Sequence, residues 1–310
     1  AREETELRLE QYERLYEEVL AIPVLRGRKP EHDKFPGAET TMTVEALMPD
    51  GKSVQAGTSH YLGTTFAEAF DITYADEDEE TRLAHTTSWG LSWRALGALI
   101  MTHGDDQGLV LPPTVAPTQV VIVPIWQADT KTAVLEYAES LAASLEAADI
   151  RVEVDDREER NPGFKFNEHE LHGVPLRIEV GPAEVESDAA TLVHRPDGAE
   201  DEADRESIVA ATEAALETVY DKLYDAATET LETNIRTADS PEEILGTIGQ
   251  YGGYVKAPWC GDEACETVIK DEIAAEIVMV PPDPETDPHG DTCAICGDPA
   301  VETAYFAKTY

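Results

Sequence analysis

The sequence predicts a multidomain protein of mixed α/β and α+β class. Three observations lead to this prediction: an early Asp-Gly turn between two short strand patterns, strands that alternate with helices after Pro117, and four cysteines near the C-terminal end. An Asp-Gly turn is typical of an antiparallel hairpin, whereas strands alternating with helices are typical of a sheet with parallel pairs. The 310 residues are enough for two or three domains of ordinary size.

The charge of the chain is strongly negative, with 64 acidic against 23 basic residues and a formal net charge of −41. Nucleic-acid-binding domains are usually basic, so charge alone argues against RNA as a partner. One interpretation is an acidic protein with cationic partners. The other is adaptation to molar salt, where the screening length shrinks to about 3 Å. Because the acidic residues are spread over every segment, we favour adaptation to salt.

The sequence contains no apolar run long enough to cross a bilayer and no signal-peptide pattern at its start. We therefore expect a soluble cytoplasmic protein without a membrane segment.

The first part of the chain predicts an amphipathic helix over 3–20 and a hairpin of strands at 41–46 and 52–57. Between them, residues 26–29 form the densest basic cluster. This cluster is either a solvated turn or a contact for phosphate.

A small polar cluster follows in Gln55, Thr58 and His60, around Gly57. A glycine lets the backbone approach a ligand closely, and the three side chains supply neutral donors and acceptors. The structural alternative is that Thr58 or Ser59 caps the next helix, with His60 an ordinary surface residue.

An acidic linker is expected at 71–82 and a strand at 83–88, which turns at Gly90 into a helix that reaches His103. Arg94 falls in the first turn of this helix, where a guanidinium suits a phosphate. Gly97 would permit close packing. Tryptophans such as Trp89 and Trp93 are more often core residues than ligand contacts. The expected buried face of the helix consists of Leu91, Leu96, Leu99 and Ile100.

A proline-rich connector at 112–117 separates this region from a new α/β pattern. The expected strands are 120–125, 151–154, 176–180 and 191–194, and the expected helices are 130–148 and 164–171. Residues 200–206 are expected to be a solvated loop, followed by a long helix over 208–235. Ser240 and Pro241 are typical of the N-cap and first position of a further helix.

The cysteines form two pairs, Cys260-x4-Cys265 and, after 27 intervening residues, Cys293-x2-Cys296. Two thiolate pairs of this spacing can close a tetrahedral zinc site, and four protein ligands would make the Zn²⁺ structural. The alternatives are two disulfides or four inert thiols. Clustering in a cytoplasmic chain favours zinc.

Two groups of motifs resemble prolyl-tRNA synthetases of the archaeal/eukaryal type. Residues 88–94, 104–113 and 115–117 resemble the third class II motif and the domain junction, and residues 161–168 with 173–182 resemble the anticodon-binding domain. The resemblance covers nearly the whole chain. It implies four parts: the later portion of a class II antiparallel-sheet catalytic domain (1–117), an α/β anticodon-binding domain (118–205), a connecting helix (206–239) and a small α+β zinc-binding domain (240–310).

The resemblance also implies roles for single residues. Gln55, Thr58 and Arg94 would contact ATP, with Arg94 on its phosphates. His60, Trp89 and Gly90 would line the amino-acid pocket, and Phe166, Glu170 and Arg177 would face the anticodon. Ala183 departs from the pattern, since relatives often carry a basic residue there. The carboxylate of the terminal Tyr310 would approach the active site.

The implied activity is ATP- and Mg²⁺-dependent ligation of proline to tRNA(Pro), by a protein that forms a homodimer when complete. We find neither the first nor the second class II motif upstream of Ser88. The alternative is therefore a non-catalytic tRNA-binding fragment or one half of a split enzyme. RNA would reach so acidic a surface along a basic path of Arg26, Arg28, Lys29 and Arg177.

Overall fold

The structure is a computed structural model that describes residues 1–282 and 290–310. The chain divides into two compact units. The first unit contains Ala1–Glu18, Ile22–Ala98 and Thr228–Tyr310, and the second contains Val19–Ala21 and Leu99–Ala227. The four-part division implied by the resemblance stays a prediction, as do its boundaries.

The helices and strands alternate along much of the chain. The helices are α1 (Arg2–Arg14, continued by a π-helical turn at Leu15–Val19), α2 (Thr65–Phe70), α3 (Arg94–His103), α4 (Lys131–Glu146), α5 (Pro162–Leu171), α6 (Pro182–Ser187), α7 (Ile208–Thr233), α8 (Pro241–Tyr251) and α9 (Glu263–Ile273). The strands are β1 (Leu25–Arg28), β2 (Thr40–Leu47), β3 (Lys52–Gly63), β4 (Thr73–Ala75), β5 (Thr81–Leu83), β6 (Thr86–Gly90), β7 (Val120–Pro124), β8 (Val152–Val154), β9 (Leu176–Val180), β10 (Ala189–His194), β11 (Glu200–Asp204), β12 (Ile235–Thr237), β13 (Tyr254–Trp259), β14 (Ala275–Met279) and β15 (Glu302–Thr309).

The first unit is built on an eight-stranded sheet that joins early and late segments of the chain. Its order is β1-β2-β3-β15-β13-β12, with β6 pairing to β3 and β14 pairing to β15. Most pairs are antiparallel, whereas β3 with β15 and β12 with β13 are parallel. β3 is therefore the strand that connects the early hairpin to the C-terminal segment.

The second unit contains a five-stranded sheet of order β11-β10-β9-β7-β8. β7 pairs in parallel with β8 and β9, as the alternating pattern predicted. Every residue of β7 is buried, which is typical of a central parallel strand. The hydrophobic core packs α4 against this sheet through residues such as Leu141, Leu145 and Ile178.

One face of the early hairpin is covered by α1 and the π-helical turn that follows it. The hydroxyl of Tyr16 donates to the carbonyl of Ala56 at 3.1 Å, and the Ser59 hydroxyl donates to the Thr5 carbonyl at 2.9 Å. A Cβ added to Gly57 would lie 3.0 Å from the Tyr12 ring. Gly57 is thus needed for close packing of the helix, on the side of the strand that α1 occupies.

Several local predictions are confirmed. β6 ends at Gly90, Arg94 begins α3, and Ser240 caps α8 by accepting a hydrogen bond from the Glu243 amide, with Pro241 at the first turn. The capping alternative for Thr58 and Ser59 is wrong, because β3 continues through both residues to Gly63.

Two segments predicted to lack secondary structure contain strands. The linker at 71–82 holds part of a hairpin formed by β4 and β5. The segment at 200–206 holds β11, which pairs with β10 and buries only Ala203. An edge strand with one small buried residue carries almost no apolar alternation, so its sequence resembles a loop.

The helices of the described ranges are all too short or too polar to cross a membrane.

Candidate functional site

A β-bulge places Gln55, Thr58 and His60 on one face of β3. β3 carries one extra residue, Ala56, between the partners of Val44 and Glu45. A bulge shifts the alternation of side chains by one, so Gln55 and Thr58 point the same way despite their odd spacing. Both are half-buried, and neither lies on the side that α1 covers.

The cross-strand partners on β2 support the placement of these three side chains on one face. Gln55 lies opposite Glu45, and Thr58 opposite Thr43. The Thr43 hydroxyl donates to the Glu45 carboxylate at 2.8 Å, so these two partners share a face. His60 follows Thr58 by two residues and therefore belongs to the same face.

β6 brings the segment before Arg94 next to this polar face. Thr58 pairs with Gly90, and His60 pairs with Ser88. Trp89 pairs with Ser59, on the opposite face, where the Arg8 guanidinium lies 4.5 Å from its ring centroid. The structure therefore brings Gly90 together with Gln55, Thr58 and His60, but it does not bring the Trp89 side chain to them.

His60 is held as a neutral, hydrogen-bonded ring. Its Nδ1 lies 3.0 Å from the Thr41 hydroxyl, and its ring centroid lies 4.8 Å from that of Phe35. Burial lowers the pKa of His60, so the imidazole is uncharged near neutral pH. A neutral imidazole beside an aromatic ring suits a small, partly apolar ligand.

Arg94 is exposed at the start of α3, four residues after Gly90. Those four residues can span at most about 14 Å, which bounds the distance between the two Cα atoms. Within the described ranges, its guanidinium has no carboxylate partner, although this chain is rich in acid. An unpaired guanidinium at a helix N-terminus is suited to bind an anion.

The apolar residues beside Arg94 are exposed rather than buried. Trp93 is 85% exposed, and Leu91, Leu96 and Ile100 are exposed too, so the predicted buried face is confirmed only for Leu99. A Cβ on Gly97 would meet no atom of residues 1–282 and 290–310 within 4 Å, so Gly97 is not closely packed against this part of the chain. The interpretation of Trp89 and Trp93 as core residues is likewise wrong, because both are exposed.

The basic cluster at 26–29 is neither a solvated turn nor a free cationic surface. Arg26 pairs with Glu13 at 3.0 Å, and Arg28 pairs with Glu302. Lys29 is 7% exposed, and its Nζ lies 3.3 Å from the buried Glu45 carboxylate. The basic path expected for RNA is thus neutralised by carboxylates at these three positions.

The terminal Tyr310 lies at the beginning of β3. Lys52 places its Nζ 4.5 Å from the Tyr310 ring centroid. Burial and Asp50 together raise the pKa of Tyr310 to about 12. The approach of its carboxylate to the active site stays a prediction.

In the second unit, the three residues expected to face the anticodon converge. The Arg177 guanidinium lies 4.1 Å from the Phe166 ring centroid and donates to the Glu170 carboxylate at 2.9 Å. It also donates to Glu179 at 3.0 Å. Ala183 lies exposed in α6. The guanidinium lies over a face of the Phe166 ring, and the Glu170 carboxylate lies beside the guanidinium. Aromatic rings and guanidinium planes can stack on an unpaired base, and a carboxylate and a guanidinium can bond its edge.

An open cavity of about 390 Å³ adjoins this cluster. Glu170 and Arg177 line it together with Asp105, Gln107 and Arg195. Arg195 is buried and donates two hydrogen bonds of 2.7 Å to the Asp105 carboxylate and one of 3.0 Å to the Glu170 carbonyl. The loop that carries Asp105 is therefore fixed to the end of α5.

The contribution of the Asp105–Arg195 pair to the stability of the fold depends on pH. The Arg195 hydrogen bonds hold the pKa of Asp105 at about 2, below its usual 3.8. A lowered folded-state pKa means that the pair stabilises the fold above about pH 4 and loses that contribution as pH falls towards 2. We expect Asp105→Asn to lower the thermal unfolding midpoint near pH 6, and the difference from the unsubstituted chain to shrink by about pH 3.

Asp106→Asn is the matched control, because Asp106 is the adjacent exposed carboxylate. A difference for Asp105→Asn that stays constant across this pH range would contradict the role of the pair.

Sequence reasoning missed Asp105, Asp155 and Arg195, which support the cluster rather than form it. Asp155 follows the parallel strand β8 directly. Polar residues at the carboxyl ends of parallel strands often serve a site, and this signal could have identified Asp155. Arg195 had no local signal, because its partners lie far away in the sequence.

The four cysteine sulfurs of the first unit form a compact cluster. The Sγ separations are 3.6 Å for Cys260 and Cys265, 3.7 Å for Cys260 and Cys296, and 3.9 Å for Cys265 and Cys293. No disulfide joins them, and all four sulfurs lie within 4.8 Å of one another. Zn–S bonds of about 2.3 Å in a regular tetrahedron give sulfur separations of about 3.8 Å, so the spacing fits zinc.

The electrostatic surroundings also suit a metal ligand. Burial disfavours the Cys293 thiolate, but backbone N–H groups of Cys296, Ile295 and Cys260 outweigh burial and lower the pKa of Cys293 to about 7. Burial and neighbouring thiols raise the pKa of Cys265. A cation at the centre of the cluster would favour the thiolate form at all four positions. The disulfide alternative is wrong for the structure described.

Comparison with known proteins gives a consistent result. Residues 119–214 match the model of an anticodon-binding domain, and residues 241–310 match the model of the C-terminal region of prolyl-tRNA synthetases.

Relatives that align with nearly the whole of this chain agree with the two family models. The chain is 74% identical over 308 residues to the proline–tRNA ligase of Natronomonas pharaonis and 70% identical over 308 residues to that of Haloarcula marismortui. Each alignment covers 99% of this chain and 64% of the relative. The proline–tRNA ligase of Oceanobacillus iheyensis is 45% identical over 310 residues, which cover all of this chain and 63% of that protein. The chain thus spans a little under two thirds of the length of these relatives, and nearly all of its own length is similar to prolyl-tRNA synthetases.

Proposed function

We propose that this chain carries the ATP-, proline- and tRNA-binding parts of a proline–tRNA ligase. In that reaction the proline carboxylate attacks the α-phosphate of ATP, and the bond to pyrophosphate breaks. A ribose hydroxyl at the end of tRNA(Pro) then takes the prolyl group, and AMP leaves.

The pairing of β3 with β6 is the observation that supports this proposal. It aligns Thr58 with Gly90 and His60 with Ser88, and it ends four residues before the unpaired Arg94. In this chemistry the protein mainly orients its reactants and stabilises charge. Gln55 and Thr58 would hold the nucleotide, His60 would bound the proline pocket, and Arg94 would stabilise charge on the phosphates. The Mg²⁺ that accompanies ATP is part of the substrate.

The chemistry of the cysteine cluster supports bound Zn²⁺ with a structural role. Cys260, Cys265, Cys293 and Cys296 would complete the coordination of the metal and leave no position open for water or substrate. Zinc at this place would hold α9 and the segment around Cys293 together. We also place the protein in the cytoplasm, where such thiols stay reduced.

A second candidate function is tRNA binding without catalysis, by this chain alone or as half of a split enzyme. The cluster of Phe166, Glu170 and Arg177 favours it, because the cluster and its cavity lie wholly in the second unit. Base recognition there does not require the nucleotide site.

Proline-dependent ATP–pyrophosphate exchange in multimolar KCl separates the two functions. Exchange catalysed by this chain alone would support the ligase and exclude the non-catalytic alternative. Absence of exchange, with tight binding of tRNA(Pro) that weakens when anticodon bases are changed, would support the second function. The homodimer expected for the ligase is tested on the same sample by its mass in solution.

A further inference from the structure

Asp155 lies at the centre of a buried charged cluster beneath the helix that carries the expected base-reading residues. It follows β8, and its amide donates to the Ile122 carbonyl of β7 at 2.9 Å. Its carboxylate is 1% exposed. The sheet therefore fixes the backbone of Asp155, and the carboxylate is enclosed by its surroundings.

Three cationic or potentially cationic side chains surround this carboxylate. Arg157 donates from Nε at 2.8 Å and from Nη2 at 2.7 Å, and the Nε2 of His169 lies 3.0 Å away. Lys165 places its Nζ 3.6 Å from the carboxylate and donates to the Asp155 carbonyl at 2.6 Å. Arg157 also pairs with Glu168.

The partners of Asp155 are concentrated on α5. Lys165 and His169 are one helical turn apart, and Phe166 and Glu170 form the adjacent row. Since successive residues of a helix are rotated by about 100°, fixing the first row fixes the direction in which the second row points. The row of Lys165 and His169 anchors the helix, and the row of Phe166 and Glu170 meets Arg177.

Because Lys165 is buried, its charge depends on a nearby carboxylate. Lys165 is 1% exposed, and its Nζ lies 5.1 Å from the Trp126 ring centroid. A buried ammonium requires a compensating charge, and Asp155 supplies it. Burial alone would raise the pKa of Asp155, but Arg157, His169 and Lys165 outweigh burial and hold the pKa well below its usual range. The carboxylate is thus ionised at every pH at which the protein would bind tRNA.

We propose that Asp155 is a positioning residue for base recognition, which orients Phe166 and Glu170 through α5 without touching RNA itself. This inference rests on the proposed recognition of the anticodon. It predicts that a change at Asp155 reduces discrimination between anticodon bases more than it reduces general affinity for tRNA.

The test measures the Kd of the full chain for two tRNA(Pro) transcripts in multimolar KCl, one intact and one with a substituted anticodon base. The unsubstituted chain should prefer the intact transcript by about 10-fold or more, as expected for a good contact to a base edge. Asp155→Asn should weaken binding of the intact transcript by about 10-fold and leave the substituted transcript within about twofold, so that the preference disappears. A merely structural role would weaken both transcripts equally.

Asp188→Asn is the matched control, because it removes an exposed carboxylate that pairs with Arg205 at 3.9 Å in the same unit. Asp155→Glu is the second variant. It keeps the negative charge near Lys165 but moves the carboxylate by one methylene, so it should fold and still discriminate poorly.

Two results would overturn the inference. Full base discrimination by a folded Asp155→Asn or Asp155→Glu chain would remove the role of Asp155 and leave the proposed function intact. Equal binding of both transcripts by the unsubstituted chain would overturn recognition of the anticodon itself, and the inference with it.

Discussion

Removal of metal from the cysteine cluster is expected to destabilise the first unit strongly. Cys265 and Cys293 are buried in a hydrophobic cluster with Trp259 and Phe306, whereas Cys296 is exposed and open to a chelator. A ligand that binds only the native state at a thousand times its Kd stabilises that state by about 4 kcal/mol. We expect the free energy of unfolding to fall by about that amount after chelation.

The measurement combines metal analysis with unfolding before and after chelation in the same salt. One zinc ion per chain is expected, and zinc added back should restore the original midpoint. Cys293→Ala should reproduce the chelated state and should gain nothing from added zinc. A metal-free preparation that unfolds at the same midpoint as the loaded protein would contradict a structural zinc site.

Arg94→Ala is expected to lower proline-dependent ATP–pyrophosphate exchange by about 10²–10³-fold, the usual cost of removing a group that stabilises transition-state charge. The same change should weaken binding of Mg–ATP about 10-fold or more, because a hydrogen bond to a charged group is lost. Affinity for tRNA should stay the same, since Phe166, Glu170 and Arg177, which we propose to bind the anticodon, lie in the second unit.

Arg14→Ala is the control for this prediction, because Arg14 is an exposed arginine that pairs with Glu18 on α1. It should change neither exchange nor the affinity for Mg–ATP. An Arg94→Ala chain that loses ATP binding and tRNA binding to the same extent would show that Arg94 does not act on the nucleotide specifically.

The local chemistry of the sequence predicted most strands and helices of the second unit, but it missed α6 and the edge strand β11. The fully apolar run at 120–125 was sufficient for β7, and the serine and proline at 240–241 were sufficient for the start of α8 in the first unit, because these signals act over a few residues. Cysteine spacing predicted a four-sulfur cluster for a similar reason, since the thiol side chain has few structural roles in a reduced protein.

The faces of the strands could not be predicted. Gln55 and Thr58 have the wrong spacing to share a face of a regular strand, and only the bulge at Ala56 aligns them. Trp89 was expected beside them, but the β3–β6 register turns its side chain towards α1. Register depends on pairing between distant segments, and a local pattern does not contain it.

The sequence could not predict long-range ion pairs for the same reason, because their partners lie far apart in the chain. Arg26, Arg28 and Lys29 were expected to lie on a basic path for RNA, yet Glu13, Glu302 and Glu45 neutralise them. In so acidic a chain, a cation without a carboxylate partner is a stronger indication of a ligand site than a cluster of cations. Arg94 meets that criterion in the described ranges.

We propose that the polar face of β3 and the guanidinium of Arg94 bind the same nucleotide. A crystal structure of the chain with ATP and Mg²⁺ would show both contacts at once. We expect polar atoms of the nucleotide within hydrogen-bond distance of Gln55 and Thr58, and a phosphate oxygen of the same molecule within hydrogen-bond distance of Arg94. A nucleotide that contacts only one of these two groups, or neither, would contradict the claim.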